Sequence, residues 1–137
     1  MTARAKILNA SAGSGKTYQL AFQYVRDVID QPGRYRHILA VTFTNKATEE
    51  MKSRILKEIH LLASGQESDY LRGKENLCEA LSLDEATVRK RAKEVRAKIL
   101  HDYSRFAVLT IDTFFQRILR AFIKELGIDL DYNVEIE

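Results

Sequence analysis

The chain has 137 residues, 45% of them hydrophobic and 30% charged, with a formal net charge of +3 and a sequence pI of about 9.0. This composition suits one globular domain and excludes a disordered chain, while the mild basicity is compatible with a polyanionic partner without requiring one. Cys78 is the only cysteine, which excludes an intrachain disulfide and a cysteine-built metal site and favours a reducing compartment. No apolar run approaches the ~18 residues of a membrane helix, and residues 1–8 have no signal-peptide core, so no membrane association and a cytoplasmic location are expected.

Lys6–Asn9 reads as the end of a buried strand with Ile7 and Leu8 inside. Next comes Ala10-Ser11-Ala12-Gly13-Ser14-Gly15-Lys16-Thr17, which fits the phosphate-binding pattern G-x-x-x-x-G-K-[ST] except that Ala10 stands at its first position. Gly13 and Gly15 let the backbone curl so that successive N–H groups point inward. Those amides and the N-terminus of the following helix would cradle an anion; Lys16 would reach the β- and γ-phosphates and Thr17 would offer its hydroxyl to Mg²⁺. The plainer reading of the same residues is a Gly/Ser-rich turn before an ordinary helix.

Leu20, Tyr24, Val25 and Val28 recur at helical spacing from Gly15 to about Asp30, and Gln31-Pro32-Gly33 stops the helix. His37–Phe43 is an uncharged, mostly apolar run, as expected of a parallel strand covered on both faces. A second helix is expected from about Ala47 to Ala63, with Met51, Ile55, Ile59 and Leu62 on one face and Gly65 at the position after its C-cap. Residues 64–81 are weakly patterned. Ser82-Leu83-Asp84-Glu85 reads as a capping box with Ser82 as N-cap, opening a helix to about His101 on the stripe Val88, Ala92, Val95, Ile99. Its other faces carry Arg89, Lys90, Arg91, Lys93, Arg96 and Lys98, either a DNA-facing surface or a solvated one. Phe106–Ile111 is the third strand. Asp112 or Thr113 would cap a helix with Phe114, Ile118, Leu119 and Phe122 inward, Arg117 and Arg120 opposite, and Gly127 at its end. Phe22, Tyr24 and Phe106 read as core, and Cys78 as structural. Alternating strands and helices imply a layered α/β fold.

Ala40-Val41-Thr42-Phe43-Thr44-Asn45-Lys46-Ala47-Thr48-Glu49-Glu50-Met51-Lys52-Ser53-Arg54-Ile55 resembles motif Ia of the UvrD/Rep superfamily 1A DNA helicases. Leu109–Phe122 resembles their motif Ic, with Phe115 where Rep-like members carry His, which looks more like the RecB/AddA branch of helicase–nucleases. The resemblance implies the P-loop NTPase fold, a RecA-like domain 1A. Residues 1–137 would be its N-terminal part, an incomplete three-layer fold with a mainly parallel sheet of about three strands and a helical insertion at about 64–105. It implies an ATP-driven 3′-to-5′ translocase acting on single-stranded DNA and DNA ends in repair and recombination, alongside other subunits of a helicase–nuclease complex. ATP and Mg²⁺ would be held by Ala10, Ser11, Ala12, Gly13, Ser14, Gly15, Lys16 and Thr17. Lys16 and Thr17 would have the catalytic roles, with Thr17 on the metal. Phe43, Thr44, Asn45, Ala47, Thr113 and Phe114 would line the DNA path. Rings and small polar groups just past strand ends suit stacking and phosphate contacts, and the helix N-termini at Ala47 and Thr113 would add phosphate-binding amides.

No predicted strand in the chain ends in Asp-Glu. Asp84-Glu85 reads as a helix N-terminus, where acids favour the helix dipole, so the chain is expected to be catalytically incomplete alone. Central strands missing from the sheet would leave exposed edges and favour self-association of the truncated chain. A small P-loop kinase, or a non-catalytic nucleotide-binding module, stays open as an alternative.

Overall fold

The computed structural model describes residues 15–127. In chain order it contains α1 (Gly15–Asp30), β1 (Leu39–Thr42), α2 (Asn45–Ala63), α3 (Asp69–Arg72), α4 (Leu77–Leu81), α5 (Glu85–His101), β2 (Ala107–Thr110) and α6 (Ile111–Glu125). Short 3₁₀ turns occupy Pro32–His37 and Tyr103–Arg105. The architecture is α/β but mostly helical. Among the described residues the sheet has two strands, β1 and β2, paired in parallel from Leu39↔Ala107 to Thr42↔Thr110. The strand expected at Lys6–Asn9 and the tail 128–137 lie outside the described residues.

The core is built between helices rather than on the sheet. The apolar stripes of α1 (Ala21, Val25, Val28, Ile29), α2 (Met51, Ile55, Ile59, Leu62) and α5 (Val88, Ala92, Val95, Ile99) are buried against one another. Each valine, leucine, isoleucine or methionine among them contributes on the order of 1.5–3 kcal/mol by leaving water. Phe22, Tyr24 and Phe106 join this core as expected, with Tyr24 and Phe106 packed edge-on at 5.5 Å. The turn at Pro32–His37 is pinned to the end of α5: the buried Tyr35 donates its hydroxyl to Asp102 at 3.2 Å, and Arg36 pairs with the same carboxylate at 3.4 Å.

Several boundaries and burials differ from the sequence expectations. β1 is not covered on both faces. Ala40 packs against the helical core, whereas Leu39 and Val41, which alternate with it along the strand, are 43% and 37% exposed. Residues 64–81 hold two short helices, capped by Ser68 and by Asn76 through bonds from the backbone N–H groups of Tyr70 and Cys78. The capping box at Ser82 does not form. Ser82 ends α4 in the left-handed region, φ 54°, and Asp84 is the N-cap of α5. Glu85 turns to Arg89 instead of reaching back, at 2.9 Å. The Asp84 carboxyl is held below its usual range, first by the Thr87 side chain. Gly65 and Gly127 occupy the expected positions after α2 and α6 with φ of +74° and +65°, which glycine adopts without a Cβ clash.

The largest departure is α6. Its stripe Phe114, Ile118, Leu119 and Phe122 was expected inward, yet no residue of α6 is buried, and Ile118, Leu119 and Phe122 are exposed along with Phe115 and Leu126. The helix rests lightly on β1 and β2. Periodicity identified the apolar face correctly; among the described residues there is nothing to cover it.

Candidate functional site

The two strands end alike. At the carboxyl end of β1, Thr44 caps α2: its hydroxyl accepts the Ala47 N–H at 3.0 Å and its carbonyl accepts the Thr48 N–H at 3.0 Å. The buried hydroxyls of Thr42 and Thr48 touch each other and converge on that same carbonyl at 3.2 and 3.1 Å. Polar burial at this corner is therefore satisfied internally. It projects Phe43, 72% exposed, with Asn45 and Lys46 also in solvent.

At the carboxyl end of β2, Thr110 caps α6. Its hydroxyl accepts the Thr113 N–H at 3.2 Å and donates to the Thr113 hydroxyl at 3.0 Å. The cap is thus Thr110, not Asp112 or Thr113, because the strand runs directly into the helix at Ile111. The register places Thr42 beside Thr110, so the structure brings Phe43, Thr44, Asn45 and Ala47 to the same sheet edge as Thr113 and Phe114. Phe114 is half-buried, with the Phe115 ring 6.3 Å away. At these helix N-termini the N–H groups of Ala47 and Thr113 themselves are engaged by threonine hydroxyls.

Of the segment expected to bind phosphate, Ala10, Ser11, Ala12, Gly13 and Ser14 lie outside the described residues. Gly15, Lys16 and Thr17 form the first turn of α1, with Gly15 and Lys16 exposed and Thr17 half-buried. That turn carries no acidic side chain. A helix first turn with a lysine and a threonine in place and no acidic side chain of its own fits a phosphate group with its Mg²⁺. Behind it, Tyr18 packs against Tyr70 of α3 and under Arg54 of α2, a connection with no local signal in the sequence.

The basic residues of α5 divide. Arg89 donates to the carbonyl oxygens of Leu61, Leu62 and Gln66 at 3.4, 3.1 and 3.0 Å, closing the C-terminus of α2. Arg91 donates to those of Ile29 and Asp30 at 3.2 and 2.9 Å, closing α1. Neither is a DNA-facing or a merely solvated side chain: both complement the negative ends of neighbouring helices. Lys90, Lys93 and Lys98 remain exposed.

A parallel strand pair feeding threonine-capped helices, with a Gly-Lys-Thr turn opening another helix, is an α/β arrangement. The chain belongs to the UvrD/REP helicase N-terminal domain family, whose model matches residues 2–137. It is similar to the RecBCD enzyme subunit RecB of Haemophilus influenzae, 29% identical over 147 residues that cover 95% of this chain and 12% of the relative. It is also similar to an ATP-dependent helicase/nuclease subunit of Lactobacillus delbrueckii subsp. bulgaricus, 29% identical over 132 residues, 93% of this chain and 9% of the relative. RecB of Escherichia coli is 37% identical over 65 residues, 42% of this chain and 6% of the relative. The chain therefore spans about a tenth of the length of these curated relatives. No solved structure matches it. Among the described residues no helix is long and apolar enough to cross a membrane.

Proposed function

We propose that the chain is the N-terminal part of ATP-binding domain 1A of an ATP-dependent 3′-to-5′ DNA helicase of the RecB/AddA type. In this reading it binds nucleotide phosphates at residues 10–17 and single-stranded DNA along Phe43–Ala47 and Thr113–Phe114, in the cytoplasm and beside other helicase–nuclease subunits. The observation that carries the reading is the pairing of Thr42 with Thr110, which sets two threonine-capped, aromatic-bearing strand ends side by side. Phe43 there is an exposed ring on a hydrogen-bonded loop, the kind of platform on which successive bases stack without sequence readout.

Lys16 would hold the β- and γ-phosphates and Thr17 the Mg²⁺; MgATP supplies the phosphoanhydride whose hydrolysis drives translocation. The acids that hold Mg²⁺ and position water, and the second motor domain, belong to the longer relatives in this reading, so the 137-residue chain alone binds without turning over. A self-sufficient small kinase would need the insertion to supply its catalytic arginines, and two of those there, Arg89 and Arg91, are engaged with main-chain carbonyls. The test is fluorescence titration with labelled MgATP and with oligo-dT. Lys16→Ala is expected to abolish nucleotide binding, and Phe43→Ala to weaken DNA binding by ~1–3 kcal/mol, one stacked base. DNA-stimulated ATP turnover by the 137-residue chain would overturn the incomplete-site reading, and phosphorylation of a small acceptor would favour the kinase.

A further inference from the structure

Tyr18 directly follows Thr17, and two other elements hold it. Tyr70 of α3, fully buried, donates its hydroxyl to the carbonyl oxygen of Tyr18 at 3.0 Å. The Tyr70 ring meets those of Tyr18 and Phe22 edge-on, with centroids 5.0 and 5.1 Å apart. Arg54 of α2 stands over the Tyr18 ring at 5.4 Å. The turn bearing Tyr70 is itself anchored: the Ser68 hydroxyl accepts the Tyr70 N–H at 3.1 Å and donates to the buried carboxylate of Glu58 at 2.5 Å. Gly73 closes the turn against Tyr18. A Cβ at Gly73 would meet the Asp69 carbonyl oxygen at 2.8 Å and the Tyr18 hydroxyl at 3.3 Å.

The first turn of a helix has no intrahelical acceptors for its N–H groups and is where helices fray. Lys16 and Thr17 lie in that turn, and a phosphate site works only when its groups are held to within a fraction of an ångström. A buried contact on the next residue removes the ordering cost that the ligand would otherwise meet. We propose that the Ser68–Gly73 turn is a buttress of the phosphate-binding helix and that Tyr70 is a positioning residue for Lys16 and Thr17. The proposal rests on the reading of residues 10–17 as a nucleotide site. It gives the segment between α2 and α5 a task, and linkage makes the effect reciprocal: nucleotide on α1 orders the turn on α3.

The test uses the full 137-residue chain and ribose-labelled MgATP. Tyr70→Phe keeps the ring packing and removes only the hydroxyl. It is expected to weaken the nucleotide by about threefold to tenfold, the span of one neutral hydrogen bond, with oligo-dT affinity unchanged. Nucleotide is expected to slow amide exchange across residues 68–73 in the parent chain and not in Tyr70→Phe. Ile99→Val, which loosens the core at the far end of α5, serves as the stability control and should leave nucleotide affinity unchanged. If Lys16→Ala abolishes binding while Tyr70→Phe binds within about twofold of the parent and exchange at 68–73 ignores nucleotide, the buttress alone fails. Equal weakening by Ile99→Val also overturns it. If the parent chain and Lys16→Ala bind alike, the nucleotide reading fails and takes the buttress with it.

Discussion

Removing Arg89 should unfasten two helices at once. Its Nη1 serves three carbonyl oxygens at the end of α2, and its Nε and Nη2 grip Glu85 at 3.1 and 2.9 Å across one turn of α5. The side chain is only 17% exposed, so the contacts are not fully screened. A hydrogen bond from a charged donor contributes ~1.5–3 kcal/mol, and a cation at a helix C-terminus ~0.3–1 kcal/mol. The exposed Glu85 pair adds little, since such pairs contribute ~0–1 kcal/mol. Arg89→Ala is therefore expected to cost about 2–3 kcal/mol, because water can re-solvate part of what it leaves. For a domain of this size that corresponds to a fall in melting temperature of about 6–12 °C. Arg89→Lys should recover less than half, since an ammonium cannot span the carbonyls and Glu85 together. Lys90→Ala and Lys93→Ala, away from these contacts, should stay within ~0.5 kcal/mol. Thermal unfolding followed by circular dichroism reads the stabilities, and oligo-dT titration at two salt concentrations reads any DNA role. A melting point within about 2 °C of the parent together with a loss of DNA affinity would refute the capping argument and return α5 to a DNA-facing role.

The Tyr24 hydroxyl is buried with no hydrogen-bond partner among the described residues, and burial, then Tyr35, pushes its ionisation far above the ordinary range. Tyr24→Phe should stabilise the chain by ~1 kcal/mol; a lower melting point would reveal a partner. Burial first, then Glu85 and Asp84, raises the Cys78 thiol above its ordinary value. Thiolate, the reactive form, then accumulates only at higher pH, so iodoacetamide alkylation at neutral pH should be slower than for free cysteine; a rate plateau at or below the ordinary thiol range would contradict this. Phe122 lies on the exposed apolar face of α6. Phe122→Glu should reduce binding of a hydrophobic dye and self-association in sedimentation with stability within ~0.5 kcal/mol, whereas a large drop in melting temperature would show the face to be covered.

Long elements were legible because their periodicity is local. Gly15 and Gln31-Pro32-Gly33 bracket α1, and Val88, Ala92, Val95 and Ile99 mark the inner face of α5. Helices of four and five residues have no period to read, and α3 and α4 announce themselves only through Ser68 and Asn76 at their caps. Ser82 misled because a serine that ends one helix and a serine that starts the next look the same in sequence. The Ala10–Thr17 and Ala40–Ile55 patterns stand out as strings in the sequence, but which threonine caps which helix depended on where β2 stops. The support behind Tyr18 could not be read at all, since its partner Tyr70 lies 52 positions away. Arg89 and Arg91 looked like surface charge for the same reason: their acceptors are carbonyls, which every residue has.

The pairing of Leu39 with Ala107 also sets an order of events in synthesis. Half the chain separates the two strands, so the sheet has high contact order, while α1 and α2 are near neighbours and can close early. At ~5–20 residues per second, several seconds pass between the emergence of β1 and that of its partner. During that interval Leu39–Thr42 has no strand partner among the described residues, and Leu39 and Val41 are the side chains through which a nascent chain would pair wrongly.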